Sequence, residues 1–350
     1  MLSGGCWRFR SRIPLVSLSP CRLVSFLLRP ATSRWALFIL VVVITRILNA
    51  ARPAVKHRVW VISDLQQSQP TEARRCLSAA IEDFESLELP AEQIWYLGDA
   101  VEGNRLELLE EMSAMQVEKL ARLGAPVRYV LGNHDFDHLR DDHFQSGRHA
   151  IFRDAVVKTP GWKTTAAIDE CYYFDKVGPF TVLFLSDHAD PAGRWYTTHG
   201  EVRGDPAGYP HAPAEYRALR DQIAKIEGPV ITCSHYAFAG GNRPSALMDQ
   251  MLPLPGNIRL HLYAHAHIGD AAWAGKDLYR KIACVDDHPI VQADIASLED
   301  GRGSAIRSAV LEIYEDDSLG LYFRNHSTRR WEDLLVLDGE RFGRERGVEK

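Results

Sequence analysis

The first 63 residues contain no aspartate or glutamate; Asp64 is the first acidic residue of the chain. These residues carry ten of the 41 lysines and arginines, so the other 31 share the rest of the chain with all 46 acidic residues. The 350-residue chain therefore joins a basic leader of charge +10 to an acidic body of charge −15. Because domains that bind duplex nucleic acid carry a basic surface on their folded part, no such partner is expected.

A long hydrophobic run is also missing. The uninterrupted apolar run of the leader, residues 36–45, has ten residues, whereas a spanning helix needs about 20. Its basic flank and the small residues Ala50 and Ala51 predict a signal peptide or N-terminal anchor over residues 1–51. The protein would then be exported or membrane-anchored, with possible N-terminal membrane contact. Two alternatives stay open: an organelle transit peptide, or a misplaced start codon and a cytoplasmic protein.

Paired cysteines are absent as well. Six cysteines are scattered without a C-x-x-C pair, which argues against a thiolate zinc site and gives no sign of a disulfide framework. A hydrophobic content of 46% with 25% charged residues is ordinary for a globular domain and excludes general disorder. No linker is visible inside the body. We predict one domain over residues 52–335, followed by a charged C-terminal tail over residues 336–350.

Strand and helix patterns alternate at the start of this domain. They predict strands near 57–63, 93–97 and 127–131 and helices near 71–87 and 104–123. A β-α-β-α-β order indicates a parallel sheet covered by helices. Three later segments alternate apolar and polar residues and predict antiparallel strands near 289–295, 306–313 and 319–324.

Each predicted strand of the first half ends in polar residues that can bind metal, and two later strands do the same. These residues are Asp64, Gln66, Asp99, Asn133, His134, Asp135, His235, His265 and His267. Because the carboxyl ends of neighbouring strands lie side by side, residues distant in sequence converge there. Imidazole and carboxylate groups together suit a pair of divalent transition metals, and a shared carboxylate can bridge two ions about 3.5–4 Å apart.

The order of these blocks resembles the calcineurin-like metallophosphoesterase superfamily over residues 57–270, and its most specific part is residues 132–135, Gly-Asn-His-Asp. The resemblance implies an α/β fold, a four-layer α/β/β/α sandwich of the metallophosphoesterase type. It also implies two divalent metal ions, Mn, Fe or Zn, and hydrolysis of a phosphomonoester or phosphodiester by metal-activated hydroxide. The substrate would be a phosphorylated small molecule, a lipid headgroup or a nucleotide.

The resemblance also implies a role for each residue. Asp64 and His267 would bind the first metal and Asp99 would bridge both. The second metal would be bound by Asn133, His235 and His265. His134 would protonate the leaving oxygen as a general acid, and Asp135 would orient and stabilise its imidazole.

Gln66 stands where the family usually has histidine. Its amide oxygen is a harder and weaker donor than imidazole, so the first metal should bind less tightly or be a harder ion. We include Gln66 among the metal ligands, although it could lie near the site without touching metal. Glu102 stands where purple acid phosphatases have tyrosine, which excludes an iron–tyrosinate centre. The alternative to an enzyme is a non-catalytic binding module of the same fold; the retained ligand set argues against it.

Overall fold

Four helices and two β-sheets make up the described part of the chain. The computed structural model describes residues 53–67, 69–102, 106–132, 134–135, 150–165, 172–186, 212–238, 251–267, 279–282, 290–338 and 341–346. The helices are α1 (Pro70–Ser86), α2 (Leu106–Ala121), α3 (Ala150–Val157) and α4 (Ala212–Ile223). The strands are β1 (Val55–Ile62), β2 (Gln93–Leu97), β3 (Val127–Val130), β4 (Lys163–Thr164), β5 (Tyr172–Val177), β6 (Phe180–Leu185), β7 (Val230–Ser234), β8 (Ile258–Tyr263), β9 (Tyr279–Ile282), β10 (Ile290–Asp294), β11 (Arg307–Tyr314), β12 (Leu319–Asn325), β13 (Arg330–Asp338) and β14 (Arg341–Arg346).

The larger sheet has the strand order β14-β13-β12-β11-β1-β2-β3-β4 and the smaller sheet β5-β6-β7-β8-β10-β9. Strands β1 to β4 run parallel, and so do β6, β7, β8 and β10. In each sheet, antiparallel strands extend this parallel centre. The carboxyl ends of the parallel strands therefore share one edge in each sheet.

Three apolar clusters define the layers. One fills the space between the sheets, where Leu97 of the larger sheet packs in the same cluster as Leu262 of the smaller one. A second lies between the larger sheet and helices α1 and α2, and includes Trp60 and Leu77. The third places α4 on the smaller sheet through Leu219. This arrangement confirms the predicted α/β fold with two sheets flanked by helices.

Helix α1 shows how a local pattern of apolar residues predicts a helix. Buried residues recur at the spacing of one helix face, from Ala73 through Leu77 and Ala80 to Phe84, which is the periodicity of an amphipathic helix. The helix begins at Pro70, one residue before the predicted start, because proline suits the first turn, where a backbone N–H has no partner to lose.

The structure differs from the prediction at β10 and at the C-terminus. Strand β10 pairs antiparallel with β9, as predicted, but in parallel with β8 on its other side, because an alternating pattern predicts a strand but not its neighbour. Residues 336–350 were predicted as a charged tail, yet β13 continues to Asp338 and β14 pairs with it at the sheet edge. Charged residues are common on edge strands, where they discourage further pairing.

The leader, residues 1–51, lies outside the described residues, so its role stays a prediction. Within the described part of the chain, no helix combines the length and the apolar character needed to cross a membrane.

Candidate metal centre

Side chains from both sheets meet at the carboxyl ends of the parallel strands. Asp64 and Asp99 follow β1 and β2 of the larger sheet, while His235, His265 and His267 follow β7 and β8 of the smaller one. Asp64, Asp99 and His235 are buried. An ion pair joins the two sheets at this edge, with 3.2 Å between His235 Nε2 and Asp99 Oδ2.

The backbone leaves the extended conformation at four of these residues. Their φ angles are positive: 55° at Asp64, 52° at Asp99, 71° at His265 and 43° at His267. Non-glycine residues rarely adopt this region, and such strain is concentrated at functional sites. The turn at Asp99 also needs a glycine next to it, because a Cβ on Gly132 would lie 2.2 Å from Asp99 Oδ1.

Asp99 is shared by two groups of candidate ligands. One group is Asp99, His235 and His265, and the other is Asp64, Asp99 and His267; within each group the ligand atoms lie within 4.8 Å of one another. Two groups of imidazole and carboxylate ligands that share one buried carboxylate have the form of a site for two bridged divalent ions. Each group contains members of one of the two ligand sets that the resemblance implied.

The carboxylates and imidazoles of this cluster shift one another's pKa. Burial opposes ionisation of Asp64 and Asp99, yet His267 and His235 beside them hold the pKa of both carboxyls below the usual value. Burial also disfavours charged imidazoles, but these carboxylates raise the pKa of His235 to about 9 and of His267 to about 10. Metal ligation needs neutral imidazole, so binding of a cation here would release protons.

The buried atoms of the cluster that have no hydrogen-bond partner include the electron-pair donors Gln66 Oε1 and His265 Nδ1. Burial and the charge of His235 lower the pKa of His265 to about 3, so its ring is neutral and keeps a lone pair. An unpaired buried polar atom costs about 1–3 kcal/mol. Two metal ions would satisfy these donors, one at His265 Nδ1 and one at Gln66 once its amide is rotated, and the donor set of three imidazoles, carboxylates and an amide suits Mn²⁺, Fe²⁺ or Zn²⁺.

Gln66 lies among the ligands of the group formed by Asp64, Asp99 and His267. Its Nε2 is 3.0 Å from Asp99 Oδ2 and 2.8 Å from His267 Nε2. Its backbone N–H donates to Asp99 O at 3.1 Å, which fixes the exit of β1 against that of β2. The amide is therefore placed to bind the same ion as Asp64 and His267 after a rotation that exchanges its oxygen and nitrogen.

His134 lies beside the shared carboxylate, since its backbone N–H donates to Asp99 Oδ1 at 2.8 Å. Its Nδ1 lies 3.2 Å from Glu102 Oε1. Asp135 was predicted to orient this ring, but its carboxylate instead accepts backbone N–H groups of Ala100, Val101 and Gly132 at 2.8–3.0 Å. The contact with His134 thus belongs to Glu102, and Asp135 ties the end of β3 to that of β2.

Burial and the nearby Asp99 raise the pKa of Asp135 to about 7, although the backbone N–H groups of Gly132 and Val101 act to lower it. Glu102 could have been found from the sequence, because it lies three residues after Asp99 in the same turn. Glu299 could not: its Oε1 lies 2.8 Å from His267 Nδ1, but no motif marks it. Asn133, predicted to bind the second metal, lies outside the described residues.

The geometry agrees with a comparison of the whole sequence with protein-family models. The model of calcineurin-like phosphoesterases matches residues 57–269, more than half of the chain. The chain belongs to the calcineurin-like phosphoesterase family. The matched range runs from β1 to just beyond His267 and so includes every candidate ligand predicted from the sequence.

A solved structure with a TM-score above 0.5 shows the same fold at low sequence identity. A dimetal phosphatase from Danio rerio superposes with a TM-score of 0.53 at 11% identity, over 78% of this chain and 97% of that one. A purple acid phosphatase from yellow lupin (Lupinus luteus) gives a TM-score of 0.48 at 13% identity, over 81% of this chain and 53% of that one. Among curated proteins, no significant match was found.

Proposed function

We propose that this protein is a phosphoesterase that holds two divalent metal ions and hydrolyses a phosphomonoester or phosphodiester. The observation that carries the proposal is the buried Asp99, which belongs to both candidate ligand groups. The family and the unpaired donors at Gln66 and His265 support the same conclusion. The proposed substrate is a phosphorylated small molecule, a lipid headgroup or a nucleotide.

The proposed ligands divide into two sets. Asp64, Gln66 and His267 would hold one ion, His235 and His265 the other, and Asp99 both. When bound, two such ions polarise a phosphoryl oxygen and make a nucleophile available near neutral pH. The chain supplies the geometry, because each ligand follows a strand whose position is fixed by one of the two sheets.

His134 is proposed as the general acid. Its backbone N–H bond to Asp99 Oδ1 places the residue next to the shared ligand, and its side chain is about one-fifth exposed. With Nδ1–H directed to Glu102, the ring would deliver the proton on Nε2 to the leaving oxygen. Glu102 would hold the ring in that tautomer and stabilise the imidazolium before transfer.

The test uses the full-length chain loaded separately with Mn²⁺, Fe²⁺ or Zn²⁺ and assayed on phosphomonoesters and phosphodiesters of the three substrate classes. His134→Ala should lower kcat by about 10²–10⁴-fold, the usual contribution of a general acid. Glu102→Gln should lower kcat by about tenfold, within the range for residues that orient a functional group.

A surface pair provides the matched control. His57 Nδ1 lies 3.0 Å from Glu92 Oε2, far from the strand ends that carry the site, so His57→Ala and Glu92→Gln should leave kcat unchanged. Metal-loaded protein without turnover on any ester would overturn the proposal in favour of a non-catalytic binding module. Turnover that survives in His134→Ala would remove the proposed general acid.

A further inference from the structure

Glu299 contacts the proposed metal centre from a part of the chain that the family match does not reach. It follows β10 and lies 30 residues beyond the last matched residue, 269. Its Oε1 is 2.8 Å from Nδ1 of His267, and the side chains are only 3% and 8% exposed. A buried carboxylate this close to a proposed ligand is placed to influence how that ligand binds metal.

We propose that Glu299 is a positioning residue that orients the His267 imidazole for metal binding. The inference rests on the proposed metal site. Glu299 Oε1 and His267 Nδ1 are close but not aligned for a hydrogen bond; once the ring is turned so that Nδ1–H meets Glu299, its lone pair is on Nε2. That nitrogen lies 3.0 Å from Asp64 Oδ1 and 2.8 Å from Gln66 Nε2, so the lone pair is directed at the other members of the same ligand set.

The backbone of Glu299 holds a second member of that set. Its N–H donates to Asp64 O at 3.0 Å, and the N–H of Leu298 donates to Ser63 O at 2.9 Å. Asp64 and His267 lie on different sheets. One residue therefore contacts both of them, which fixes the distance between two ligands that no shared strand controls.

The segment around Glu299 is itself fixed. Ser304 Oγ donates to Glu299 O at 2.9 Å, and the N–H of Arg307 donates to Ser297 O at 2.8 Å. On the outer side, Arg302 Nε lies 3.0 Å from Glu299 Oε1 and its side chain is 47% exposed. The carboxylate is thus held between a cation at the surface and an imidazole in the interior.

Such carboxylate–histidine–metal arrangements fix the tautomer of the ring and raise its basicity, and loss of the carboxylate typically weakens metal binding by about 10–100-fold. The effect should fall on one ion only. Within the described part of the chain, no hydrogen bond or ion pair joins Glu299 to His235 or His265, which are proposed to bind the other ion.

The experiment measures Mn²⁺ binding to the full-length protein by isothermal titration calorimetry, without an activity readout. In Glu299→Ala, one of the two dissociation constants should rise by about 10–100-fold and the other should stay as in the wild type. Glu299→Gln keeps the volume and an acceptor oxygen but not the charge. It should give a smaller loss, with an unchanged melting temperature, and it decides the matter if Glu299→Ala does not fold.

A second readout separates positioning from general stability. In the wild type, the ¹H–¹⁵N spectrum of His267 loaded with Zn²⁺ should show the tautomer protonated at Nδ1, and Glu299→Ala should weaken or shift that N–H signal. The control is Asp300→Asn, which removes the neighbouring carboxylate, paired with Arg75 at 2.7 Å; both dissociation constants should stay unchanged.

Two outcomes distinguish this inference from the proposed function. If both dissociation constants and the His267 signal of Glu299→Ala and Glu299→Gln match the wild type, Glu299 does not position the ligand, whatever the activity. If the wild type binds two ions, the variants lose one as described and no phosphate ester is hydrolysed, the inference holds and the proposed function fails.

Discussion

Among the described residues, two buried clusters combine carboxylates with imidazoles, and they differ in what their polar atoms contact. At the candidate metal centre, Gln66 Oε1 and His265 Nδ1 have no partner. The second cluster lies under α1, where Asp83 accepts two bonds from Arg324, both of 2.8 Å. His326 Nδ1 lies 2.8 Å from the same carboxylate, and none of these three side chains leaves a buried atom unpaired.

The Asp83 cluster even has the distances of a catalytic triad. Ser308 Oγ lies 2.7 Å from His326 Nε2, whose other nitrogen faces Asp83. However, Ser308, His326 and Asp83 are all buried, and Trp60 Nε1 donates to the serine hydroxyl at 2.8 Å. The comparison teaches that residue types and distances do not define a site; unpaired donors at strand ends do.

The largest expected effect is that of Asp99→Asn. Loss of an outer-shell partner costs about 10–100-fold in metal affinity, so loss of the shared ligand should weaken binding of both ions by more than about 100-fold. Titration calorimetry with Mn²⁺ measures this. The metal-free variant should stay folded, because His235, once its carboxylate partner is gone, can release its proton. Affinity close to that of the wild type would contradict the shared-ligand role.

Asp83→Asn should lower the folding stability and leave the metal affinity unchanged, the opposite of what Asp99→Asn should do. It leaves the buried Arg324 without its carboxylate, and arginine cannot release its proton. Breaking a buried ion pair in this way costs about 3–5 kcal/mol of folding free energy. Urea unfolding with EDTA present measures the loss, while the Mn²⁺ affinities should equal those of the wild type. A loss of metal affinity at unchanged stability would reverse the roles assigned to the two clusters.

Acid should weaken the Asp83 cluster selectively. Burial opposes ionisation of Asp83, but Arg324 and His326 outweigh it and lower its pKa to about 2. A carboxyl whose pKa is lower in the folded than in the unfolded state stabilises the fold fully above about pH 4, and this contribution is lost as the pH falls through about 2. The pair with the exposed Arg329 is too long, at 4.0 Å, to change this.

The expected difference is about 2 kcal/mol. The free energy of unfolding should therefore fall further in the wild type than in Asp83→Asn between pH 5 and pH 2, measured in urea without metal. Burial also lowers the pKa of His326, which adds a loss below about pH 6.5 as the unfolded chain takes up a proton. Parallel pH profiles of the two proteins would show that Asp83 does not carry this stability.

The smallest effect should be that of Ser308→Ala. It removes the partner of Trp60 Nε1 and of His326 Nε2, at a cost of about 1–3 kcal/mol. Activity on phosphate esters should not change, and the wild type should not react with a fluorophosphonate probe of serine nucleophiles. Labelling of Ser308 would mean that the buried triad is accessible and would contradict the structural role assigned to the Asp83 cluster.

Local patterns were sufficient for most elements of the fold. The spacing of buried residues marks α1, and the apolar run of β2 has the bounds that the sequence indicated. The pairing of the strands was not predicted by these patterns: β10 joins β8 in parallel, and β14 forms an edge of the larger sheet. Strand pairing depends on contacts across the whole chain, which no short segment contains.

The sequence by itself determined the types and the order of the candidate ligands, because each of them follows an apolar strand and the carboxyl ends of parallel strands meet. Only the tertiary structure decided which carboxylate serves which imidazole. Glu102, not Asp135, contacts His134, and Glu299 reaches His267 from beyond the family match. Motif spacing fixes where the backbone leaves a strand, but a hydrogen-bonding partner depends on side-chain direction and on loops brought together by the packing of the two sheets.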